Sequence, residues 1–367
     1  MNFFEMNTTN HKKDVNTGRV TKNSPVVEVF SALSQGKTPN VDAKKLDKSV
    51  DTIKEMASLA RSGDHTAKSE LNAIVRYTIE PRLLEGIKLF DFMGSFKKIP
   101  YDEVPMVRTY NYETSGARFQ ASSGDVPFGT YNFSEYPIAT QTISSGFAFN
   151  YREIESGNFE GSVAEGMNQV IIDMENKAVY YVIAKLYQGL KNSTGIKHFS
   201  EGAGIVQAGV DNMLKVMRRY GKVAITGDYS VVSQMNDFVG FKTIGSTTYP
   251  YGADAAAAQI MQTGLLNFYN GANVIELPNS YDYSRIKADG SNYELYMPEG
   301  LLFFIPQGST SPLQIFQRGD LASMTADDIV TRTNLTRFDL EVGAELAKGT
   351  EDRIGLMSDS NFEAPAI

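Results

Sequence analysis

Apolar residues recur at helical spacing in two long segments of the chain. Between residues 67 and about 92 they return every three or four positions, which predicts a helix that Pro81 should kink. From residue 162 to residue 190 the same spacing marks one face, and Ser162 with Glu165 forms a capping box at the start. At 1.5 Å per residue, this second helix would be about 40 Å long, well above the usual length in globular proteins.

The segment between the two helices has the composition of β-strands. Residues 106–113 and 130–136 are rich in Thr, Tyr, Val and Phe, and the Gly- and Ser-rich residues 122–129 predict a turn. This hairpin mixes polar and aromatic residues on both faces, so we expect a ribbon, roughly 60 Å long, that lies on a neighbouring subunit. The alternative is the edge of an ordinary internal sheet. The contact candidates on the ribbon are Arg118, Phe119, Phe128, Tyr131 and Phe133.

The remaining segments complete a mixed pattern. The first 50 or so residues are polar, which predicts either a disordered tail or an arm that another protein surface must anchor. Residues 222–305 alternate apolar strands with helices and predict an α/β lobe, in which Asp228 begins a helix and residues 240–252 form a loop. After Pro312 the pattern returns to strands, so helices and strands together indicate an α+β fold class.

Composition limits the chemistry that the chain can perform. It has no cysteine and only three histidines, which are far apart in sequence, so thiolate and histidine-rich metal sites are not expected. Nucleophile-elbow, phosphate-loop and zinc-helix motifs are missing. The pairs at 327–328 and 351–352 predict solvated acidic turns, and Arg318-Gly319-Asp320 predicts a turn after a strand. We therefore expect no catalytic, cofactor or metal site.

Charge and hydropathy bear on the partners. The net charge of −8 is unlike that of a protein that coats DNA by electrostatic attraction. The N-terminal sequence does not resemble a signal peptide, and no window is apolar over the ~18 residues that a membrane span needs. The 21 Phe and 19 Tyr residues suit extensive packing surfaces within or between chains.

The order of these segments resembles the major capsid protein of tailed bacteriophages, a fold shared with the herpesvirus capsid floor and with encapsulins. Residues 162–190 match the spine helix, and the closing strands are matched by residues 331–343 and 352–357. The resemblance covers nearly the whole chain and implies six regions. They are an N-terminal arm (1–66), a peripheral-domain helix and lead-in (67–103), an extended β-hairpin loop (104–151), the spine helix and peripheral domain (152–221), an axial domain (222–306) and the peripheral-domain closing strands (307–367).

The resemblance implies a structural protein of the virion. Pentamers and hexamers of the chain would assemble in the host bacterial cytoplasm into an icosahedral shell around double-stranded DNA, which the wall would touch only by weak, non-specific contact. Portal and scaffolding proteins are expected partners, a decoration protein is a possible one, and no membrane partner is expected. Some family members cross-link subunits through a lysine on the extended loop. No lysine occurs here between Lys98 and Lys177, so a shell without that cross-link is expected.

Three alternatives remain open from the sequence. An encapsulin-type compartment has the same fold, and only the long polar arm and long ribbon favour a phage. An α/β enzyme of unknown chemistry would have to work without a recognisable motif. A phage-tail or surface binding module fits poorly with the long amphipathic helix and the lack of β-repeats.

Overall fold

A computed structural model describes residues 20–21, 23–34, 43–86, 93–113, 119, 124, 128–156, 163–238, 240–244, 247–251, 258, 260–287, 290–307, 311–328 and 333–365. Helices and strands both contribute heavily, which confirms the α+β class. The helices are α1 (Pro25–Ser34), α2 (Ala43–Arg61), α3 (His65–Gly86), α4 (Tyr151–Ser156), α5 (Ala164–Asn192), α6 (Gln207–Met217) and α7 (Tyr229–Val232), with 3₁₀ turns at Ser233–Phe238 and Glu351–Arg353. The strands are β1 (Ser95–Ile99), β2 (Met106–Glu113), β3 (Thr130–Pro137), β4 (Gln141–Phe149), β5 (His198–Gly202), β6 (Lys222–Gly227), β7 (Gly240–Ile244), β8 (Thr247–Tyr251), β9 (Phe268–Tyr269), β10 (Ala272–Glu276), β11 (Tyr281–Ile286), β12 (Tyr293–Leu295), β13 (Leu301–Gln307), β14 (Leu313–Asp328), β15 (Thr333–Leu346) and β16 (Gly355–Asp359).

The chain divides into two compact units, each built from segments that are distant in sequence. The first unit comprises Met1–Leu89, Gln141–Ala178 and Gln317–Val342, and the second comprises Phe90–Thr140, Val179–Phe316 and Gly343–Ile367. The division falls inside α5, β14 and β15. The six regions implied by the resemblance are consecutive ranges of sequence, whereas each compact unit combines distant segments. The boundaries of the six regions stay a prediction.

Helices α1, α2, α3 and α4 pack together in the first unit. Val26, Val29 and Phe30 of α1 are buried, and Ile53 of α2 is buried with them in the core of the chain. The described part of the predicted N-terminal arm therefore buries its apolar side chains within its own unit rather than against another protein surface. The most N-terminal part of the predicted arm, residues 1–19, lies outside the described residues.

Both predicted long helices are present. The Asp64 carboxylate caps α3 by accepting from the backbone N–H of Thr66 at 2.8 Å. The helix continues through Pro81 without a break, and the kink expected there stays a prediction. Helix α5 has 29 residues, or about 43 Å at 1.5 Å each. Its predicted cap, Ser162, lies outside the described residues.

The first unit also holds a sheet in which β14, β15 and β4 are neighbours in that order. Strands β4 and β15 are antiparallel, from Gln141 opposite Val342 to Phe149 opposite Asn334. The sequence prediction for residues 318–320 was wrong, because β14 continues through them to Asp328 instead of turning. Gly319 allows this with a φ of +71°, a conformation that side chains disfavour.

A six-stranded mixed sheet organises the second unit, in the order β5-β16-β13-β6-β10-β9. Strands β10 and β6 are parallel, whereas β13 is antiparallel to both β6 and β16. Helices α6 and α7 cover the sheet through a core that includes Met213, Val232 and Phe304. Asp228 caps α7, as predicted, by accepting from the backbone N–H of Ser230 at 2.8 Å.

Three two-stranded hairpins belong to the same unit: β2–β3, β7–β8 and β11–β12. The second of them corrects the loop predicted over residues 240–252, since Gly240–Ile244 and Thr247–Tyr251 pair as antiparallel strands. Glycine had suggested a loop there, but Thr and Tyr favour an extended backbone. Across the described ranges, no helix has the length and apolar character required to span a membrane.

Candidate subunit interface

The β2–β3 ribbon is two-stranded, so the described residues do not make it the edge of a larger sheet. Its eight pairs run from Met106 opposite Pro137 to Glu113 opposite Thr130. Eight residues at about 3.3 Å each give a paired length of roughly 26 Å. The expected 60 Å would include residues that lie mostly outside the described ranges, namely 114–127.

The base of the ribbon packs on the body of the second unit. Val107 and Ile138 are buried with Phe316 and Ala347 in one apolar cluster, and Tyr136 packs against it from the side. The ribbon was expected to lie on a neighbouring subunit, but its base is buried in its own subunit. The burial of the base could have been predicted from two apolar residues. Val107 is the second residue of β2, and Ile138 directly follows β3.

Tyr136 adds polar contacts to this anchor. Its hydroxyl accepts from the backbone N–H of Lys348 at 3.2 Å and donates to the carbonyl oxygen of Leu346 at 3.5 Å. The Lys348 ammonium lies 4.8 Å from the centre of the Tyr136 ring. Burial, with a smaller contribution from the negative charge of Glu345, raises the pKa of the Tyr136 hydroxyl, so the hydroxyl keeps the proton that it donates.

Cross-strand side-chain pairs hold the next part of the ribbon. Arg108 and Glu135 are opposite each other and form an ion pair, in which the Arg108 Nε donates to the Glu135 Oε1 at 2.6 Å. The Arg108 guanidinium also lies 5.2 Å from the centre of the Phe133 ring. The hydroxyls of Thr109 and Ser134 are 2.7 Å apart. These contacts stiffen the strands and fix their register.

Beyond that point the ribbon exposes large aromatic side chains. Phe128 is 87% exposed, Tyr131 60% and Phe133 62%, and Phe119 is fully exposed. Tyr131 and Phe133 are two positions apart on β3 and therefore lie on the same face. Arg118, the fifth predicted contact residue, lies outside the described residues. A group of exposed aromatic residues is typical of a surface that another protein covers.

Apart from the ribbon, a cluster of hydrogen-bonded polar side chains lies in the first unit, at the end of β14. The Asp327 carboxylate forms an ion pair with Lys68 and accepts from the Asn334 side-chain amide at 3.0 Å. The Tyr151 hydroxyl, 3.5 Å away, completes the group. The hydrogen bond from Lys68 is the main cause that lowers the pKa of Asp327, whereas burial raises the pKa of Tyr151. The predicted turn at Asp327 is therefore wrong, since the residue lies at the end of β14; its side chain is exposed as predicted but has fixed partners.

Within the described residues, no three His, Asp or Glu side chains are placed to hold a metal ion. The Asp352 carboxylate, predicted to lie in a solvated turn, accepts from the Tyr220 hydroxyl at 2.6 Å and thus has a structural partner. The exposed aromatic surface of the ribbon remains the strongest candidate for function.

Solved structures align with the chain at low sequence identity. The head structure of Helicobacter pylori bacteriophage KHP40 aligns with a TM-score of 0.46 at 12% identity, covering 74% of this chain and 90% of that one. The holo-SrpI encapsulin complex from Synechococcus elongatus PCC 7942 aligns with a TM-score of 0.45 at 10% identity, covering 77% and 88%. Among curated proteins, no relative matches the sequence.

A sequence family identifies the chain more specifically than these distant structural similarities do. Residues 8–358 match the family described as "SPbeta prophage-derived putative capsid protein YonB". The chain belongs to this YonB family of capsid proteins. The match covers almost the whole sequence and confirms the resemblance to phage capsid proteins.

Proposed function

We propose that copies of this chain assemble into an icosahedral shell that encloses phage double-stranded DNA. Membership of a capsid protein family supports a structural rather than a catalytic role. The observation that carries the proposal is the exposed aromatic surface on the β2–β3 ribbon, which is anchored at its base and uncovered beyond it. A neighbouring copy would cover this surface and remove its apolar area from water.

In this proposal the contacts between copies are non-covalent. The stretch from Ile99 to Asn176 contains the whole ribbon and holds no lysine, so an amine for cross-linking is missing there. Packing, hydrogen bonds and charge pairs would hold the shell, and closed symmetry would repeat each contact many times. Portal and scaffolding proteins, and in some shells a decoration protein, would complete the particle. The chain would act in the virion after assembly in the bacterial cytoplasm.

Substitution of the ribbon aromatics tests the proposal. Replacing Phe128, Tyr131 and Phe133 together with Ala should leave the free energy of unfolding of the subunit within about 1 kcal/mol, because the side chains are exposed. Shell formation should be lost or shifted to at least about tenfold higher protein concentration, because buried aromatic anchors dominate interface energies. Light scattering and negative-stain microscopy measure assembly.

Phe268→Ala provides the matched control, since Phe268 is 57% exposed on β9 and belongs to the six-stranded sheet, not to the ribbon. The control should assemble like the unmodified chain. Shells of unchanged stability from the triple variant would show that the ribbon aromatics are not interface anchors.

Purified particles should contain double-stranded DNA when the chain is produced with its phage partners. A protein cargo in place of the DNA would favour a cellular compartment.

A further inference from the structure

A polar cavity of about 530 Å³ lies in the first unit, beside α3 and the strands β14 and β15. Helix α3 contributes Lys68, Asn72 and Arg76, which are four positions apart and therefore share one face. Strand β14 contributes Thr325 and Asp327. The volume is within the range of ligand pockets in proteins.

Two buried polar atoms at this cavity have no partner in the part of the chain that the structure describes. They are the Nε of Arg76, a hydrogen-bond donor, and the Oδ1 of Asn72, an acceptor. Asn72 is only 7% exposed, and its Nδ2 already donates to the Thr325 hydroxyl at 3.0 Å. Buried polar groups are normally paired. A ligand that satisfies both atoms must offer an acceptor to Arg76 and a donor to Asn72.

The charges at the cavity favour an anionic acceptor. Lys68 and Asp327 form an ion pair, which leaves the Arg76 guanidinium without an ionic partner among the described residues. Arg76 contacts the ring of Tyr77, 4.8 Å from its centre, but a ring does not neutralise the charge. Guanidinium groups bind carboxylates with particular strength. An acidic peptide fits both needs, because its carboxylate can accept from Arg76 and its backbone N–H can donate to Asn72.

The same chain displays an acidic segment of this kind on the turn formed by residues 100–105. The backbone N–H of Glu103 donates to the carbonyl oxygen of Pro100 at 3.3 Å and holds the turn. Asp102 and Glu103 are exposed, and no ion pair within the described residues neutralises either one. Tyr101 and Val104, which flank them, are 58% and 52% exposed.

We propose that the acidic turn 100–105 of one copy inserts into the Arg76 cavity of a second copy when the shell assembles. This inference rests on the proposed shell function and names one of its contacts. The turn and the cavity are different surface regions of the same chain, so pairing them between copies gives a heterologous contact. Contacts of this type can close rings of identical subunits. The exposed carboxylates match the unpaired guanidinium in charge, and the flanking Tyr101 and Val104 supply apolar area at the rim.

Charge reversal tests this contact in the full-length chain. Arg76→Glu alone, and Asp102→Lys with Glu103→Lys alone, should each raise the protein concentration needed for assembly by about tenfold or more. The three changes combined in one chain should restore assembly to within about threefold of the unmodified protein, because the charges are again opposite. Additive losses in the combined variant would overturn the proposal.

Two controls separate the possible failures. Arg152→Glu reverses a charge on exposed α4 residue Arg152, and it should not rescue the Asp102 and Glu103 variant. Should Arg76→Glu fail to fold, Arg76→Gln with Asp102→Asn and Glu103→Gln gives the neutral version of the cycle, in which the combined loss should be smaller than the sum. If the unmodified chain forms no shells, the proposed function fails; if it forms shells but the cycles show no coupling, only this contact fails.

Discussion

Asp327 illustrates how a single carboxylate joins segments that are distant in sequence. Lys68 of α3, Tyr151 of α4 and Asn334 of β15 all contact it in the first unit. These partners, Lys68 foremost, hold the pKa of Asp327 below its ordinary value of 3.8. Because the native state favours the ionised form, Asp327 contributes stability that depends on pH.

Asp327→Asn should make the free energy of unfolding less sensitive to acid. The stability that Asp327 contributes is fully present above the pKa of the unfolded state, near pH 4, and is lost as the pH falls through the lower pKa of the folded state. Urea unfolding at several pH values between about 2 and 6 should therefore give a smaller decline for the variant. Asp102→Asn, at an exposed position without a described ion pair, serves as the control; equal declines in the Asp327 variant and the unmodified chain would contradict the assignment.

The ribbon residues show what the sequence could predict at this scale. Phe119, Phe128, Tyr131 and Phe133 were predicted as subunit contacts from their place on the hairpin. The structure shows these four side chains exposed, and their contact with another copy stays a prediction. The partners of Asp327 could not be predicted, because a carboxylate in a polar stretch has the same local signal whether it is solvated or bonded to a residue more than 250 positions away.

Helix α5 and strand β4 approach each other closely at Gly166, within the first unit. A Cβ atom added to Gly166 would lie 2.7 Å from Cδ2 of Phe147. The Phe147 ring is itself held by Phe149 and by Phe338, at ring-centre distances of 5.6 and 6.3 Å. The glycine thus sets how closely the helix can approach the strand.

Gly166→Ala should destabilise the subunit although alanine is the better helix former. The gain in helix propensity is about 1 kcal/mol, whereas overpacking a well-filled site costs typically about 1–3 kcal/mol. We expect a net loss of about 1 kcal/mol in the free energy of unfolding, measured with urea. Ile172→Ala, at an exposed position of the same helix, should change it by less than about 0.5 kcal/mol. A more stable Gly166 variant would show that the Phe147 ring can move aside at little cost.

Deletion of residues 122–129 tests the ribbon as an element. The cluster of Val107, Ile138, Phe316 and Ala347 is untouched, so the shortened subunit should keep its circular dichroism spectrum and cooperative unfolding. Its shells should be few or absent, as judged by negative-stain microscopy. Loss of cooperative unfolding would mean that the tip serves the core of its own subunit.

The elements themselves were largely predictable, and the exceptions have physical reasons. Periodicity located α3, α5 and the strands of the second unit, because their buried faces repeat at a fixed spacing. It failed at residues 240–252 and 318–320, where glycine marked a turn inside a hairpin in the first case and a distortion inside a strand in the second. Glycine permits several conformations, so its local signal does not select among them.

At the scale of the whole molecule, the distribution of lysine makes a chemical prediction. Particles boiled in detergent should run on a denaturing gel as a single band near the subunit mass of 40.5 kDa. The ribbon has no lysine whose amine could attack a neighbouring side chain, and arginine stays protonated. A ladder of covalent oligomers from mature particles would require a cross-link that starts elsewhere in the chain.

The anchoring of the ribbon also has a consequence for the order of events during synthesis. Val107 and Ile138 need Phe316 and Ala347 for their packing, so about 200 further residues must leave the ribosome before the ribbon base can settle. Domains fold as their residues emerge, at about 5–20 residues per second. For at least roughly ten seconds, therefore, the ribbon base of a nascent chain would not yet be packed against Phe316 and Ala347. That interval works against premature pairing between neighbours on one messenger RNA and delays association until each copy is nearly complete.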